Sequence, residues 1–293
     1  MTYDILHCYT RQRPMRTKSE RLSTNILSSI RQHRKRGGST SDLTSDEASE
    51  GLLIASYNVH KCVGVDGKFD PYRTKEVIRE IGADVLALQE ADTRFGERRG
   101  LLDLDWLERE TGLLPVPVVG LSKAHGWHGN VILFREGLVR DVHQVKLPGL
   151  EPRGALISEL ELKGGGALRV IAAHLGLLHR SRHQQTRMII DLLRARDEQP
   201  TILLGDLNEW RLGDRSSLNT LTAMFGLPSA VPSFPSRLPV LALDRIMSNR
   251  PELLGPVEAH NSALARLASD HLPIKARVRL SRPADLEEPE DNI

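Results

Sequence analysis

From residue 51 onward, short apolar runs alternate with stretches of helical spacing. Leu52–Asn58 (LLIASYN) and Asp84–Glu90 (DVLALQE) are apolar at consecutive positions, the pattern of strands covered on both faces. Thr201–Asp206 (TILLGD) has the same character, and Leu243–Ser248 and Ile274–Leu280 are further strands. Asn130–Phe134, Leu138–Lys146, Ala155–Leu162 and Leu168–His174 read as four strands in succession. Helical spacing marks Arg73–Ile81, ended by Gly82, and Asp103–Thr111, ended by Gly112. It also marks Ser216–Phe225 and Ser181–Arg196, the latter placing Met188, Ile189, Leu192 and Leu193 for burial. Strands outnumber helices, and neighbouring strands often lack a helix between them. This predicts an α/β fold with two mixed β-sheets flanked by helices rather than a doubly wound parallel sheet.

Both flanks lack such periodicity. Residues 1–50 predict a basic, disordered arm with one short helix over Arg21–Arg36, followed by a polar linker at 39–50 (STSDLTSDEASE). Residues 281–293 form an acidic tail with Pro283, Pro289 and five acids between Asp285 and Asp291. The folded domain is therefore expected over residues 51–280.

Charge adds to this division. The net charge is only +2, yet residues 1–36 carry nine Lys/Arg against two Asp/Glu, and the rest of the chain carries 31 against 36. The arm is the part expected to meet an anionic membrane surface or nucleic acid. Cys8 and Cys62 are too few for a disulfide framework and read as free thiols in a reducing compartment. No apolar run approaches the ~20 residues a membrane span needs. With no apolar segment near the N-terminus, a secretory signal is not expected either, which makes the cytoplasm the expected location, with peripheral membrane contact through the arm. The expected state is a monomer.

The chemistry lies where the strands end. Asn58 closes the first strand, Glu90 the second, His174 the run Val170–Ala173, and Asp206, with Asn208 two residues later, the run Ile202–Leu204. Asp244 opens the strand Leu243–Ser248, and Asp270–His271 precedes Leu272–Ile274. Any one of these is ordinarily a turn or cap residue. Six such ends carrying Asn, Glu, His, Asp-x-Asn, Asp and Asp-His are the groups a hydrolase with a hard cation requires. Carboxylate and amide oxygens suit magnesium, manganese or calcium, and no His-x-x-x-His or cysteine cluster favours zinc.

The strings YNVH (57–60), LQE (88–90), GNVILF (129–134), AAHL (172–175), GDLN (205–208), LDRI (243–246) and SDHLP (269–273) resemble the endonuclease/exonuclease/phosphatase superfamily, in its order and across residues 53–280. GDLN and SDHLP are the most specific of them. The resemblance implies a four-layered α/β sandwich with its site at one rim of two sheets, and a magnesium-dependent phosphoester hydrolase in which manganese can substitute. It implies Glu90 as the principal metal ligand, with Asn58 and Asp270 near the same ion. Asp206 and Asn208 would hold the attacking water and a phosphate oxygen. His271 would be the catalytic histidine, as base or donor, and His174 a second histidine on the leaving-group side. Asp244 would orient one histidine, and Arg153 would contact phosphate.

Two departures bear on substrate. Apurinic-site endonucleases carry an acid where His60 stands and a tyrosine where His174 stands, which argues against abasic DNA. Aromatic residues are 4% of the chain, few for stacking bases. A small phosphoester or lipid headgroup is therefore the first substrate class, with a DNA or RNA nuclease as the alternative. A non-catalytic binding module, a third reading, is disfavoured by the intact motif set. The segment Thr93–Arg99 (TRFGERR) is expected to overhang the site, its arginines holding a phosphorylated headgroup or a nucleic-acid backbone. Phe95, Trp127 and Trp210 are candidate pocket walls, though an aromatic at such a place is more often packing, and His125 and His128 are expected near the rim with no role assigned.

Overall fold

The structure, a computed structural model, describes residues 51–120, 123–163, 166–211 and 213–280. The arm, its Arg21–Arg36 helix, the polar linker and the acidic tail lie outside the described residues.

Eleven strands form two sheets among the described residues. The first runs in the order β10–β11–β1–β2–β4–β3: β10 Glu258–Ala259, β11 Ile274–Val278, β1 Leu52–Asn58, β2 Val85–Gln89, β4 Val131–Phe134 and β3 Leu114–Pro115. The second runs β5–β6–β7–β8–β9: β5 Gly137–Lys146, β6 Gly154–Leu162, β7 Gly166–His174, β8 Thr201–Asp206 and β9 Asp244–Ser248. Both are mixed, with β1–β2 and β7–β8 parallel and the other pairs antiparallel. Helices α1 (Pro71–Ile81), α2 (Leu104–Thr111) and α5 (Ala263–Ala268) cover the outside of the first sheet, and α3 (His179–Arg194) and α4 (Asn219–Phe225) the outside of the second.

Side-chain alternation along the strands makes the layers. Ile54, Val85, Ala87, Ile132, Leu156, Val170, Ala172, Ile202, Leu204 and Ile246 pack between the sheets. The intervening residues Tyr57, Leu86 and Leu88 pack on Val77, Ile78 and Leu107 of α1 and α2. Ile171, Ala173 and Leu203 pack on Ile189, Leu193 and Phe225 of α3 and α4. The result is the expected four-layered α/β sandwich.

The elements read from the sequence are present, with shifted ends. α1 starts at Pro71, two residues before the first apolar-spaced position, because Pro71 occupies its first turn and Asp70 accepts from Arg73 N at 3.0 Å. Gly82 and Gly112 end α1 and α2 in the left-handed conformation. α4 begins at Asn219 rather than Ser216, since Ser216 Oγ instead accepts from Leu218 N in the preceding turn. Sequence periodicity missed α5 and the two-residue strands β3 and β10, which are too short to show a period.

Candidate active site

Alternation also builds the site. In β7, β8 and β9 the position next in line to the last inward apolar residue is polar: His174 after Val170 and Ala172, Asp206 after Ile202 and Leu204, and Asp244 beside Ile246; in β1 the inward series turns polar after Ile54, at Ser56 and then Asn58. Register then aligns them. His174 is the cross-strand partner of Asp206, and Asp206 the partner of Asp244, so the three stand in one row at the rim of the second sheet. Asn58 is paired with Gln89 at the facing rim of the first sheet, one residue before Glu90.

Hydrogen bonds close the gap between the sheets. Asn58 Nδ2 donates to Asp206 Oδ2 at 3.0 Å, and Asn208 N donates to Asp206 Oδ1 at 3.0 Å. Asn208, at φ +52°, donates its side-chain amide to Leu175 O at 3.0 Å, which ties the loop after β8 to the loop after β7. Asp244 Oδ2 accepts from His271 Nδ1 at 2.9 Å and from Ser233 Oγ at 2.5 Å. With Nδ1 committed to Asp244, His271 Nε2 lies 3.8 Å from Asp206 Oδ2, and Phe234 packs on the ring at 4.9 Å between centroids. On the other side of Asp206, His174 Nε2 lies 3.4 Å from the same oxygen. Arg153 Nη1 sits 2.8–2.9 Å from the ring nitrogens of His174, while Glu151 fixes the rest of the guanidinium from 2.9–3.0 Å.

Electrostatics divides the two histidines. Burial alone would lower His271, but the carboxylates of Asp244, Asp206 and Asp270 outweigh it and hold the imidazolium up at about 10. His174 falls well below its ordinary value, through burial first and then the Arg153 charge, and is a neutral imidazole. Asp206 is pushed up to about 6 by burial, with Asp244 adding repulsion against the opposing charge of His271.

Glu90 carries φ +55°, and its carboxylate meets Lys61 Nζ at 2.7 Å. Burial would raise this acid, yet the Lys61 ammonium holds it below the usual range. Gly129 packs on this residue at φ +82°, where a Cβ would be strained and would stand a tight 3.3 Å from the Glu90 backbone. Lys61 reaches Glu90 because His60, Lys61 and Cys62 form a left-handed turn, at φ +46°, +54° and +59°. Left-handed residues of this kind cost roughly 1–2 kcal/mol each. Asp270 is joined to the same corner by Ser269, whose Oγ donates to Asn58 O at 2.7 Å and lies 3.4 Å from Asp270 Oδ1. His60 Nδ1 lies 3.7 Å from Asp270 Oδ1.

Two sets of groups therefore stand together. Asp206, Asp244 and His271 each place a potential ligand atom within 4.8 Å of the others, a candidate divalent-metal group among the described residues. Its hydrogen bonds are those of a proton relay, since a metal there would displace the proton His271 shares with Asp244. Glu90 and Asp270 bring carboxylate oxygens, and Asn58 an amide oxygen that accepts from His60 N at 3.0 Å, a donor chemistry that suits a hard divalent cation.

Sequence reasoning missed Lys61, Ser233 and Ser269, and also Glu209. The carboxylate of Glu209, wholly buried, meets Arg182 Nη2 at 3.2 Å and accepts from Ser217 Oγ at 2.6 Å, and Arg182 also donates to Gly176 O and Leu177 O. This pair fastens the loops that carry His174 and Asn208. Arg182→Met strands the Glu209 charge and is expected to destabilise the fold by ~3–5 kcal/mol, read as a lowered melting temperature. An unchanged melt would show that the pair is structurally idle.

Of the expected pocket walls, Trp127 is packing: its indole N–H donates to Val145 O at 2.9 Å and its ring lies against the inter-sheet core. Phe95 and Trp210 are exposed. Arg98 is bound to Asp92 at 2.7 Å, so of the arginines in the 93–99 segment it is Arg94 that brings a guanidinium without a carboxylate partner among the described residues to the cleft beside Glu90 and His174. His128 also lines that cleft, with Nδ1 on Pro152 O at 3.0 Å, and His125 is placed instead against Gly100.

Residues 55–271 match the Endonuclease/Exonuclease/phosphatase family. The chain belongs to that family. Membership makes it a hydrolase of phosphoester bonds. It is 27% identical to YbhP of Escherichia coli (strain K12) over 253 residues, covering 78% of this chain and 96% of YbhP. Its fold is similar to that of an endonuclease/exonuclease/phosphatase from Beutenbergia cavernae, with a TM-score of 0.59, 21% identity and 79% and 72% of the two chains covered. It is similar also to that of the mannosyl-6-phosphatase of Bacteroides thetaiotaomicron, with a TM-score of 0.60, 15% identity and 78% and 99% covered. No helix among the described residues is long and apolar enough to cross a membrane.

Proposed function

We propose that the chain is a magnesium-dependent hydrolase of a small phosphoester, with a lipid headgroup as the favoured substrate class. The observation that carries this reading is the buried row His174–Asp206–Asp244, joined to His271 at one end and Asn58 across the sheets, beside a cleft lined by Lys61, Arg94 and Arg153. A phosphate entering this cleft meets Arg153 and Lys61 as counter-charges. Asp206, raised toward neutrality, accepts a proton from water held between it and Asn208, while His271 donates from Nε2 to a phosphoryl oxygen. Neutral His174 lies on the Arg153 side, 3.4 Å from Asp206, where it passes to the leaving oxygen the proton that Asp206 takes from water. Glu90, Asn58 and Asp270 would hold the divalent ion, which supplies Lewis-acid stabilisation of the phosphoryl oxygens when bound; manganese can replace magnesium there.

The cleft favours a small substrate over a polynucleotide. Its positive groups share the cleft with Glu90 and Asp92, whose charges would repel a nucleic-acid backbone. The test is a magnesium-supplemented panel of bis(4-nitrophenyl) phosphate, 4-nitrophenyl phosphate, phospholipid vesicles and plasmid DNA. Turnover of the aryl esters and phospholipid without DNA cleavage is expected. Plasmid cleavage as the fastest reaction would overturn the choice of substrate class.

A further inference from the structure

Four large apolar side chains stand in water on loops that carry the site: Leu150 is 86% exposed, Leu177 59%, Leu178 50% and Trp210 46%. Leu150 precedes Glu151 and Arg153, Leu177 and Leu178 follow His174, and Trp210 follows Asn208. The three loops are one surface. Glu151, which holds Arg153, accepts from Leu177 N at 2.7 Å, and Arg182, which donates to Leu177 O, lies under the Trp210 ring at 5.7 Å. Gln185 of α3 reaches back to Pro148 O at 2.8 Å. Scattered exposed leucines need no explanation, but four large apolar side chains on loops bonded to one another, each next to site residues, do.

The charges around this patch name its occupant. Arg211 lies over the exposed face of Trp210, 5.1 Å from the ring centroid, and Arg180 is exposed beside Leu178. Leucine and tryptophan interleaved with arginine is the composition of a surface that enters the headgroup region of an anionic bilayer, where the apolar groups reach the acyl boundary and the guanidiniums meet phosphate.

We infer that Leu150, Leu177, Leu178 and Trp210 form a docking surface for an anionic phospholipid bilayer, which presents the active-site cleft to lipid headgroups. The inference deepens the lipid-headgroup reading and rests on it only for what the cleft then hydrolyses; the docking itself is measured without turnover.

The experiment is co-sedimentation of the full chain with phosphatidylcholine vesicles, with and without phosphatidylglycerol. The wild type is compared with a variant carrying Leu150→Ser, Leu177→Ser, Leu178→Ser and Trp210→Ser. These substitutions keep every charge, including those of the basic arm. The wild type should bind phosphatidylglycerol-containing vesicles, and the variant should lose roughly tenfold or more in affinity while hydrolysing a soluble aryl phosphoester at the wild-type rate. Equal vesicle binding by both proteins would assign membrane contact to the arm and overturn the inference. So would the absence of binding by the wild type, or equal binding to neutral vesicles. Retained docking with no aryl turnover would leave the surface standing and count against the proposed function instead.

Discussion

Replacing His271 with alanine is expected to lower turnover by roughly 10²–10⁴-fold, the usual contribution of a positioned proton-transfer group. His271 is fixed on three sides: Nδ1 on Asp244 at 2.9 Å, its backbone N–H on Ser269 Oγ at 3.2 Å and its ring against Phe234. Only Nε2 is left to act, and it points toward the Asp206 carboxylate. Alanine leaves Asp244 buried with Ser233 as its remaining partner, which also threatens stability. His271→Asn separates the two effects, because its amide can donate to Asp244 in place of Nδ1 while nothing replaces Nε2. Asp206→Asn should be comparably slow. Asp206 accepts from both Asn58 Nδ2 and Asn208 N, and an amide can satisfy only one of them and takes no proton from water. His174→Ala is the comparison that separates the leaving-group side from the His271 side.

Removal of divalent metal with EDTA is expected to abolish turnover, with magnesium or manganese restoring it and zinc not the best activator. The donors argued to hold the ion are the oxygens of Glu90, Asn58 and Asp270, with no thiolate among them. Glu90→Gln removes the charge but keeps an oxygen, so its magnesium requirement should shift to higher concentration with turnover partly regained there. This differs from Asp206→Asn, whose loss no metal concentration should repair. Full activity of EDTA-treated, metal-free protein would contradict the ligand assignment.

Much of this site was legible because strand alternation is a local property. A polar residue next in the inward series after Ile202 and Leu204, or after Val170 and Ala172, must lie at the end of the inter-sheet core, and the structure puts Asp206 and His174 there. What the sequence withheld depends on contacts between distant segments or on unusual backbone. Nothing in His60–Lys61–Cys62 signals a left-handed turn, since none of the three is glycine or asparagine, so the approach of Lys61 to Glu90 was not visible. Ser233 joins Asp244 from a loop 11 residues away, and Ser269 joins Asn58 across 211 residues. Arg182 read as one more basic position on a helix, yet its partner Glu209 lies 27 residues on and both are buried. For Trp127 both pocket wall and packing were open in the sequence, because an aromatic near a glycine-rich turn gives no sign of which side its ring takes.

The central claim, that the rim joining the two sheets is a hydrolytic centre, is tested most directly by steady-state turnover of bis(4-nitrophenyl) phosphate in saturating magnesium, measured beside a thermal melt for the wild type and His271→Asn. Turnover lower by roughly 10²–10⁴-fold at a nearly unchanged melting temperature is the predicted result. Wild-type turnover by the variant, with the same melt, would place the chemistry elsewhere in the chain.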